Sequence, residues 1–265
     1  MLLAIDIGNT EITIGLFASS ELERSWRIMT HPPRTADEWA ILLRALFGEA
    51  GLDIADVDKS IVASVVPMAT EAFCDGLVDA TGTVPIVVGA HNLPIRLDVD
   101  EPQTVGADRM INTLAASRLF RCDTIVVDFG TATTLDCITK DGRFIGGIIA
   151  PGVRTAGENL IKKAAKLSAT DLAAPARAIG RRTDDCIRAG LVFGAADAVD
   201  GLVRRIKREW PTRDVPRVVA TGGLAPLVAK YSSEIEEVHP DLTLQGLRIA
   251  AELVSQGAGA PAPSA

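Results

Sequence analysis

The sequence predicts an α/β protein built from two copies of one unit. Segments with strand and helix periodicity alternate along the chain, and their order in the first half repeats in the second. An Asp-x-Gly sequence also follows the first strand of each half, at Asp6 and at Asp128. The predicted domains are 1–115 and 116–256, and the Gly-, Pro- and Ala-rich end, 257–265, predicts a disordered tail.

The first half predicts the element order β-β-β-α-β-α-β-α. Apolar runs at 2–6 and 12–17 flank a turn-prone segment, and alternating polar and apolar residues predict a third strand from Leu22 to Ile28. Thr35 can cap a helix over 35–50, because its hydroxyl can accept from the first N–H groups of the helix. The remaining segments are a strand at 60–66, a helix at 68–80, a short strand at 85–88 and a helix at 105–119.

The second half predicts the same order. Its first strands are at 124–128, 132–138 and 143–149, with Asp141-Gly142 as the turn of the second hairpin. Helical periodicity follows at 153–166 and 181–208. The last segments are a strand at 217–221, a helix at 225–231, a short strand at 236–239 and a helix at 242–256.

Composition and charge limit the classes of function. Of 265 residues, 48% are hydrophobic and 23% are charged, as in ordinary globular proteins. The net charge of −7 argues against nonspecific nucleic-acid binding, which needs clustered positive charge. The four cysteines and three histidines are dispersed without zinc-ligand spacing. With no apolar run of the about 20 residues that span a bilayer and no signal peptide, we expect a cytoplasmic protein that binds no membrane.

The first candidate site is Asp6-Ile7-Gly8-Asn9-Thr10, between the first two strands. Gly8 permits a tight turn in which successive backbone N–H groups can point at one anion, and Asn9, Thr10 and Thr13 add side-chain donors. Asp6 at the strand end can hold a hydrated cation beside phosphates. The alternative is an ordinary hairpin turn whose Asn and Thr side chains bond to their own backbone.

A second acidic-glycine turn, Asp128-Phe129-Gly130-Thr131, occupies the corresponding place in the second half. A cleft between two such units would present two opposed phosphate-binding hairpins with a carboxylate from each side. The segment 220–223, Ala-Thr-Gly-Gly, also follows a strand, and its missing side chains would let a flat base approach the backbone. An ordinary strand-to-helix turn explains that segment equally well.

Together these segments resemble the superfamily of actin, sugar kinases and heat-shock chaperones, and within it the type III pantothenate kinases. The matching blocks follow the order of that family and lie at 6–10, 64–67, 106–109, 128–134, 146–152, 220–223 and 239–247. The resemblance implies two duplicated ribonuclease-H-like domains with an ATP cleft between them. It also implies ATP-dependent phosphorylation of pantothenate to 4′-phosphopantothenate, the first step of coenzyme A synthesis.

The resemblance further implies roles for single residues. The cofactor-binding residues would be Asp6, Ile7, Gly8, Asn9, Thr10, Glu11, Ile12, Thr13, Gly130 and Thr131. Asp6 would approach Mg²⁺ through water, and Asp128 would hold K⁺ or NH₄⁺. The substrate-binding residues would be Val99, Gly106, Ala107, Asp108, Arg109 and Thr183, with Asp108 as general base. Val99 departs from the Tyr that the family often has there, and the pantothenate pocket would be completed at a homodimer interface.

The residues around Asp108 support its role without the resemblance. An apolar helical face after it places Asp108 in the first turn of a helix, where the helix dipole stabilises a negative charge; that face comprises Met110, Ile111, Leu114, Ala115 and Leu119. In phosphoryl transfer such a base orients the hydroxyl and accepts its proton late. The alternative is an exposed capping Asp beside a surface Arg.

Two other functions use the same scaffold. A catalytically silent accessory or regulatory protein would be expected to lack one of the key charged residues, yet the chain has Asp6, Asp108, Arg109 and Asp128. A different small-molecule kinase, such as a sugar kinase, usually carries large insertions for sugar recognition, for which 265 residues leave little room.

Overall fold

The computed structural model of the chain describes residues 1–164, 167 and 170–256. The chain divides into two compact units, one formed by Met1–Ala115 with the chain from Thr243 on, and the other by Ala116–Leu242. The predicted tail, 257–265, lies outside the described residues, as do two residues at the end of the helix predicted over 153–166. In the described part of the chain, no helix is both long and apolar enough to cross a membrane.

The helices and strands follow the predicted order with small changes in their ends. In the first half they are β1 Leu2–Ile7, β2 Glu11–Ala18, β3 Glu21–Met29, α1 Ala36–Glu49, β4 Lys59–Ser64, α2 Pro67–Thr81, β5 Ile86–Val87, β6 Arg96–Leu97 and α3 Ala107–Leu119. In the second they are β7 Thr124–Phe129, β8 Ala132–Ile138, β9 Arg143–Pro151, α4 Val153–Lys163, α5 Thr183–Glu209, β10 Arg217–Thr221, α6 Ala225–Val228, β11 Glu237–Val238 and α7 Leu242–Ser255. The two-residue strand β6 was not predicted, although Ile95, Leu97 and Val99 alternate with Arg96 and Asp98 as strand residues do.

The sheets of the two units have the same topology. The first unit's strands run in the order β3-β2-β1-β4-β5, and the second unit's corresponding strands run β9-β8-β7-β10-β11. In each sheet the first two pairs are antiparallel and the last two are parallel. This correspondence confirms the predicted duplication.

Alternation along the first strand of each unit decides which face carries each carboxylate. In β1, Leu3, Ile5 and Ile7 are buried against α1 and α2, whereas Ala4 faces the core that includes α3. Asp6 therefore lies on the α3 face. In β7 the side chains of Ile125, Val127 and Phe129 pack with α5, so Asp128 lies on the opposite face of the second sheet; the α5 residues are Ala196, Val199 and Val203.

The last helix packs with the first unit, whereas the predicted domain boundary assigned it to the second. The prediction assigned 242–256 to the second domain, but Leu244, Leu247 and Ala250 join the core of the first unit with Ala4 and Phe17. A Cβ on Gly246 would lie 2.6 Å from the Ile111 carbonyl oxygen, and Thr243 Oγ1 donates to Asn112 Oδ1 at 2.9 Å, so α7 contacts α3 closely. Its periodicity predicted an apolar face but not which sheet that face covers.

Two buried carboxylates brace the second unit. Asp123 accepts hydrogen bonds from Trp210 Nε1, Thr212 Oγ1 and the Lys140 N–H, each at 2.8 Å. Burial alone would raise its pKa, but these donors outweigh burial and leave the pKa below its ordinary value. Burial acts in the same way on Asp200, and its donors, the hydroxyls of Ser232 and Ser233 and two backbone N–H groups, likewise leave its pKa lowered.

Candidate active site

The first hairpin presents a short polar tip between β1 and β2. The Gly8 N–H donates to the Glu11 carbonyl at 3.0 Å, which closes the turn around Asn9 and Thr10. A Cβ on Gly8 would lie 2.9 Å from that same carbonyl oxygen, so the turn favours glycine. Asn9 and Glu11 are exposed, so the tip is open to a ligand.

The predicted cofactor-binding residues of this hairpin divide into two groups. The side chains of Ile7 and Ile12 are fully buried, so only their backbone could contact a nucleotide. Asp6 lies directly opposite Thr13 in the β1–β2 register, and both are half-buried on the α3 face. A carboxylate and a hydroxyl therefore lie side by side at the strand end.

Thr30, which was not predicted as a site residue, holds the first hairpin. It is the residue after β3 and is only 2% exposed. Its Oγ1 donates to the Gly8 carbonyl at 2.7 Å, and its N–H donates to the Thr10 carbonyl at 2.9 Å. Both carbonyls that flank Asn9 are thus bonded to one buried residue.

The second hairpin repeats this arrangement with a shorter tip. The Gly130 N–H donates to the Ala132 carbonyl at 3.0 Å, and Gly130 and Thr131 are exposed. Half-buried Asp128 lies opposite Thr134 of β8 and opposite Thr221 of β10. Hydroxyl residues therefore flank the second carboxylate on both neighbouring strands.

Gly222 lies against Asp128. It has a φ of +89°, and a Cβ there would lie 2.4 Å from Asp128 Oδ1 and 2.8 Å from backbone atoms of Phe129. At Gly222 the expectation that a missing side chain leaves room for a flat base needs correction, because the carboxylate and the β7 backbone occupy that space. For Gly223 it stays a prediction.

The start of α4 holds the second hairpin. Thr155 Oγ1 donates to the Thr131 carbonyl at 2.8 Å, and the Gly152 N–H donates to the same oxygen at 3.2 Å. A Cβ on Gly152 would lie 2.5 Å from the Gly130 carbonyl oxygen, so helix and hairpin are in direct contact. Sequence reasoning did not identify Thr155 or Gly152 individually.

Asp108 lies in the first turn of α3, as predicted. Its Oδ1 accepts the Arg109 N–H at 2.8 Å, and a Cβ on Gly106 would lie 2.5 Å from that oxygen, so glycine leaves room for the carboxylate. The same Cβ would lie 3.4 Å from Val65 Cγ1, just beyond β4, and Val65 N–H donates to the Ile7 carbonyl. The α3 N-terminus and Asp6 therefore lie at the same edge of the first sheet, on the same face.

The other two predicted substrate residues lie elsewhere. Val99 is half-buried in the segment between β6 and the short helical turn Pro102–Thr104. Exposed Thr183 is the first residue of α5 and lines a cavity of about 480 Å³ in the second unit. The other lining residues are Ala156, Leu160, Leu167, Cys186, Ile187, Gly190 and Leu191.

The donor set fits a nucleotide that brings its own metal. Within the described residues, no group of three or more His, Cys, Asp or Glu side chains could hold a metal ion by itself. Mg²⁺ keeps several waters and commonly uses one or two carboxylates with substrate phosphates. A single half-buried carboxylate beside a glycine hairpin, as at Asp6, matches that requirement.

Comparisons with known proteins concern the family and the fold of the chain. The family model for type III pantothenate kinase matches residues 2–205. A type III pantothenate kinase of Moorella thermoacetica is 42% identical over 95% of this chain and 99% of its own length. Component A of the (R)-2-hydroxyglutaryl-CoA dehydratase of Acidaminococcus fermentans superimposes with a TM-score of 0.57 at 16% identity, covering 97% of this chain and 98% of that chain. An ROK hexokinase of Thermus thermophilus gives 0.50 at 16% identity, over 95% and 98%. The two structures concern the fold alone, and they support the predicted pair of ribonuclease-H-like units.

Proposed function

This chain belongs to the type III pantothenate kinase family, and from that premise we propose that it transfers the γ-phosphate of ATP to the primary alcohol of pantothenate. The product is 4′-phosphopantothenate, and the reaction is the first step of coenzyme A synthesis. The observation that carries the proposal is the family match over residues 2–205, which contains both hairpins, Asp108 and Thr183. A transferase of this kind needs a phosphate-binding element and a base, and the first unit has candidates for both at one sheet edge.

Phosphoryl transfer requires little covalent chemistry from the protein, so catalysis depends mainly on positioning the reactants and stabilising charge. The first hairpin, residues 6–13, binds the ATP phosphates through backbone N–H groups and polar side chains, and Gly130 and Thr131 contact them too. Mg²⁺, when bound, neutralises the phosphate charge, and Asp6 orients the waters of its hydration shell. Buried Ile7 and Ile12 contribute backbone groups only.

The acceptor is held at the start of α3. Asp108 orients the pantothenate hydroxyl and accepts its proton as the hydroxyl oxygen bonds to the γ-phosphorus. The bond from that phosphorus to the bridging oxygen breaks, and ADP leaves. Gly106 leaves room for the Asp108 carboxylate, and buried Ala107 contributes backbone groups. Arg109 offsets negative charge, and Val99 lines the pocket in place of a hydrogen-bonding Tyr.

A monovalent cation, K⁺ or NH₄⁺, belongs at Asp128. Two carboxylates near a polyphosphate repel it unless cations lie between them. Thr134 and Thr221 on the neighbouring strands offer further oxygens beside Asp128, which supports a site for a cation that is coordinated directly.

The active form is a homodimer in the cytoplasm, with the pantothenate pocket completed at the interface. Thr183 is exposed beside a largely apolar cavity, which supports a role in a neighbouring copy's pocket. A closed pocket excludes water, which would otherwise compete with the alcohol for the γ-phosphate. Sedimentation velocity tests this, and a fully active monomer of 27.9 kDa would contradict it.

The activity itself is tested by coupled ADP release. We expect ADP release that depends on pantothenate, with a higher rate in K⁺ or NH₄⁺ than in Na⁺, and 4′-phosphopantothenate in the product by mass spectrometry. ADP release that is equal with and without pantothenate would rule out this reaction.

A further inference from the structure

We propose that Thr30 and Thr155 are positioning residues for phosphoryl transfer, each holding one glycine hairpin in the conformation that binds phosphate. The inference rests on the proposed kinase function. It concerns two residues that act through the backbone of the hairpins.

The argument for Thr30 is geometric. Its hydroxyl bonds the Gly8 carbonyl at 2.7 Å and its N–H bonds the Thr10 carbonyl at 2.9 Å. In a planar trans peptide the C=O and the following N–H point in opposite directions. Because Thr30 is 2% exposed and draws the Gly8 carbonyl inward, the Asn9 N–H is turned outward to the exposed tip. Thr30 therefore sets the direction of a backbone donor that phosphate would meet.

Thr155 acts on the other hairpin from a helix rather than a strand. Its hydroxyl and the Gly152 N–H both donate to the Thr131 carbonyl, at 2.8 and 3.2 Å. Two donors on one oxygen fix the plane of the peptide that follows Thr131. The hairpin tip, Gly130-Thr131, is thereby tied to the first turn of α4.

Such bonds matter to a kinase because its donors must be oriented before charge develops. Donors that are already oriented need no reorganisation during the reaction, so they stabilise the transition state more than mobile ones. Loss of the hydroxyl hydrogen bond of Thr30 or Thr155 should therefore weaken nucleotide binding and turnover. The alcohol substrate is expected to bind at α3 and should be little affected.

The experiment compares hydroxyl removal with hydroxyl retention. Thr30→Val and Thr155→Val keep the side-chain volume and remove the hydroxyl, whereas Thr30→Ser and Thr155→Ser keep the hydroxyl. We expect each Val variant to raise KM for ATP about tenfold, the equivalent of one net hydrogen bond. KM for pantothenate should stay within about twofold, and each Ser variant should recover most of the loss.

A matched control is Thr81→Val. Its hydroxyl also donates to a backbone carbonyl, that of Leu77 at 2.8 Å, but it lies at the end of α2. A helix of 15 residues places it about 22 Å along the axis from the α2 start. KM for ATP should be unchanged in this variant.

Binding of a non-hydrolysable ATP analogue with Mg²⁺, measured by calorimetry, separates this inference from the function on which it rests. If the wild-type chain binds the analogue but phosphorylates no pantothenate, the proposed function fails. An about tenfold rise in the analogue's Kd in the Val variants would then still support the positioning role of Thr30 and Thr155. If KM for ATP and the analogue's Kd stay within about twofold of wild type, the inference is overturned. An equal rise in KM for both substrates, matched by Thr81→Val, would also overturn it as a general loss of stability. Should buried Thr30→Val not fold, half-buried Thr155→Val decides the outcome.

Discussion

The two hairpins share a framework and differ in what surrounds their carboxylates. In both, a glycine N–H closes the turn at 3.0 Å and the carboxylate lies opposite a threonine on the antiparallel neighbour. On the parallel neighbour, however, Asp6 lies opposite Ala63, whereas Asp128 lies opposite Thr221. The duplicated sheet thus determines where each carboxylate lies, and one residue on the adjacent strand changes its chemical surroundings.

This difference leads to separate expectations for the two carboxylates. An aspartate with a hydroxyl residue on one neighbouring strand, as at Asp6, suits a cation that keeps its water shell, as Mg²⁺ does. An aspartate with hydroxyls on both sides suits a cation that gives up water for protein oxygens, as K⁺ does. The following predictions test this division between the units, beginning with the largest effect.

Asp108→Asn tests whether Asp108, in the first unit, is the base that accepts the proton of the pantothenate hydroxyl. The change is nearly isosteric and removes the proton acceptor, so kcat should fall about 10²–10⁴-fold with little change in KM for pantothenate. Steady-state kinetics measure both. Asp37→Asn is the matched control, because Asp37 occupies the same first-turn position in α1 and should keep full activity. If Asp108→Asn keeps more than about a tenth of wild-type kcat, then Asp108 is not the base.

Gly222→Ala tests how closely the second carboxylate is packed. The positive φ and the clash with Asp128 and Phe129 should together lower the free energy of unfolding by about 3 kcal/mol. Gly82→Ala separates the two causes, since Gly82 has a φ of +73° but no atom beyond its immediate chain neighbours within 4 Å of where a Cβ would lie, and it should lose only about 1 kcal/mol. Urea denaturation measures both values, and equal losses would show that the contact with Asp128 is unimportant.

Asp200→Asn tests the acid sensitivity of the second unit. Among the described residues the buried carboxylates, Asp123, Asp136 and Asp200, all lie there. Because the pKa of Asp200 is lowered in the folded state, its ionised form stabilises the fold above its unfolded pKa of about 3.9, and this stabilisation is lost as the pH falls through the folded pKa. The variant should lose about 2 kcal/mol at pH 7, and the difference from wild type should shrink below about pH 4.

Exposed Asp197 on the same helix provides the control for that measurement. Asp197→Asn should change the free energy of unfolding by less than about 0.5 kcal/mol at pH 7 and at about pH 3. A loss in Asp200→Asn that stays constant from pH 7 to pH 3 would show that its charge plays no part.

Asp128→Asn and Asp6→Asn compare the two carboxylates directly, with the smallest expected effect. At low K⁺ and saturating Mg²⁺, Asp128→Asn should turn over about tenfold more slowly and recover in part at high K⁺, because a weakened site fills by mass action. The initial rate of Asp6→Asn should rise with the Mg²⁺ concentration and not with the K⁺ concentration. Initial rates over a K⁺ titration distinguish them, and the same K⁺ response in both variants would contradict the division.

Local features of the site could be predicted from the sequence, and distant contacts could not. Gly8, Gly130 and the helix start at Asp108 were identified because turns and helix ends have local signatures. Thr30 and Thr155 bond carbonyls 22 and 24 residues away, and a lone threonine carries no sign of such a bond. Likewise the two glycines at 222–223 marked a turn, but only the fold shows that Gly222 makes room for Asp128.

The placement of α7 has a consequence for how the chain folds during its synthesis. The first unit needs residues from Thr243 on, so its core remains incomplete after residue 115 has left the ribosome. At about 5–20 residues per second, the intervening chain takes about 6–25 seconds to make. Throughout that interval Ala4, Phe17 and Ile111 lack the helix that covers them. The amino-terminal unit therefore completes its core only after the second unit has been translated, and premature termination near the carboxyl end would damage the unit that is translated first.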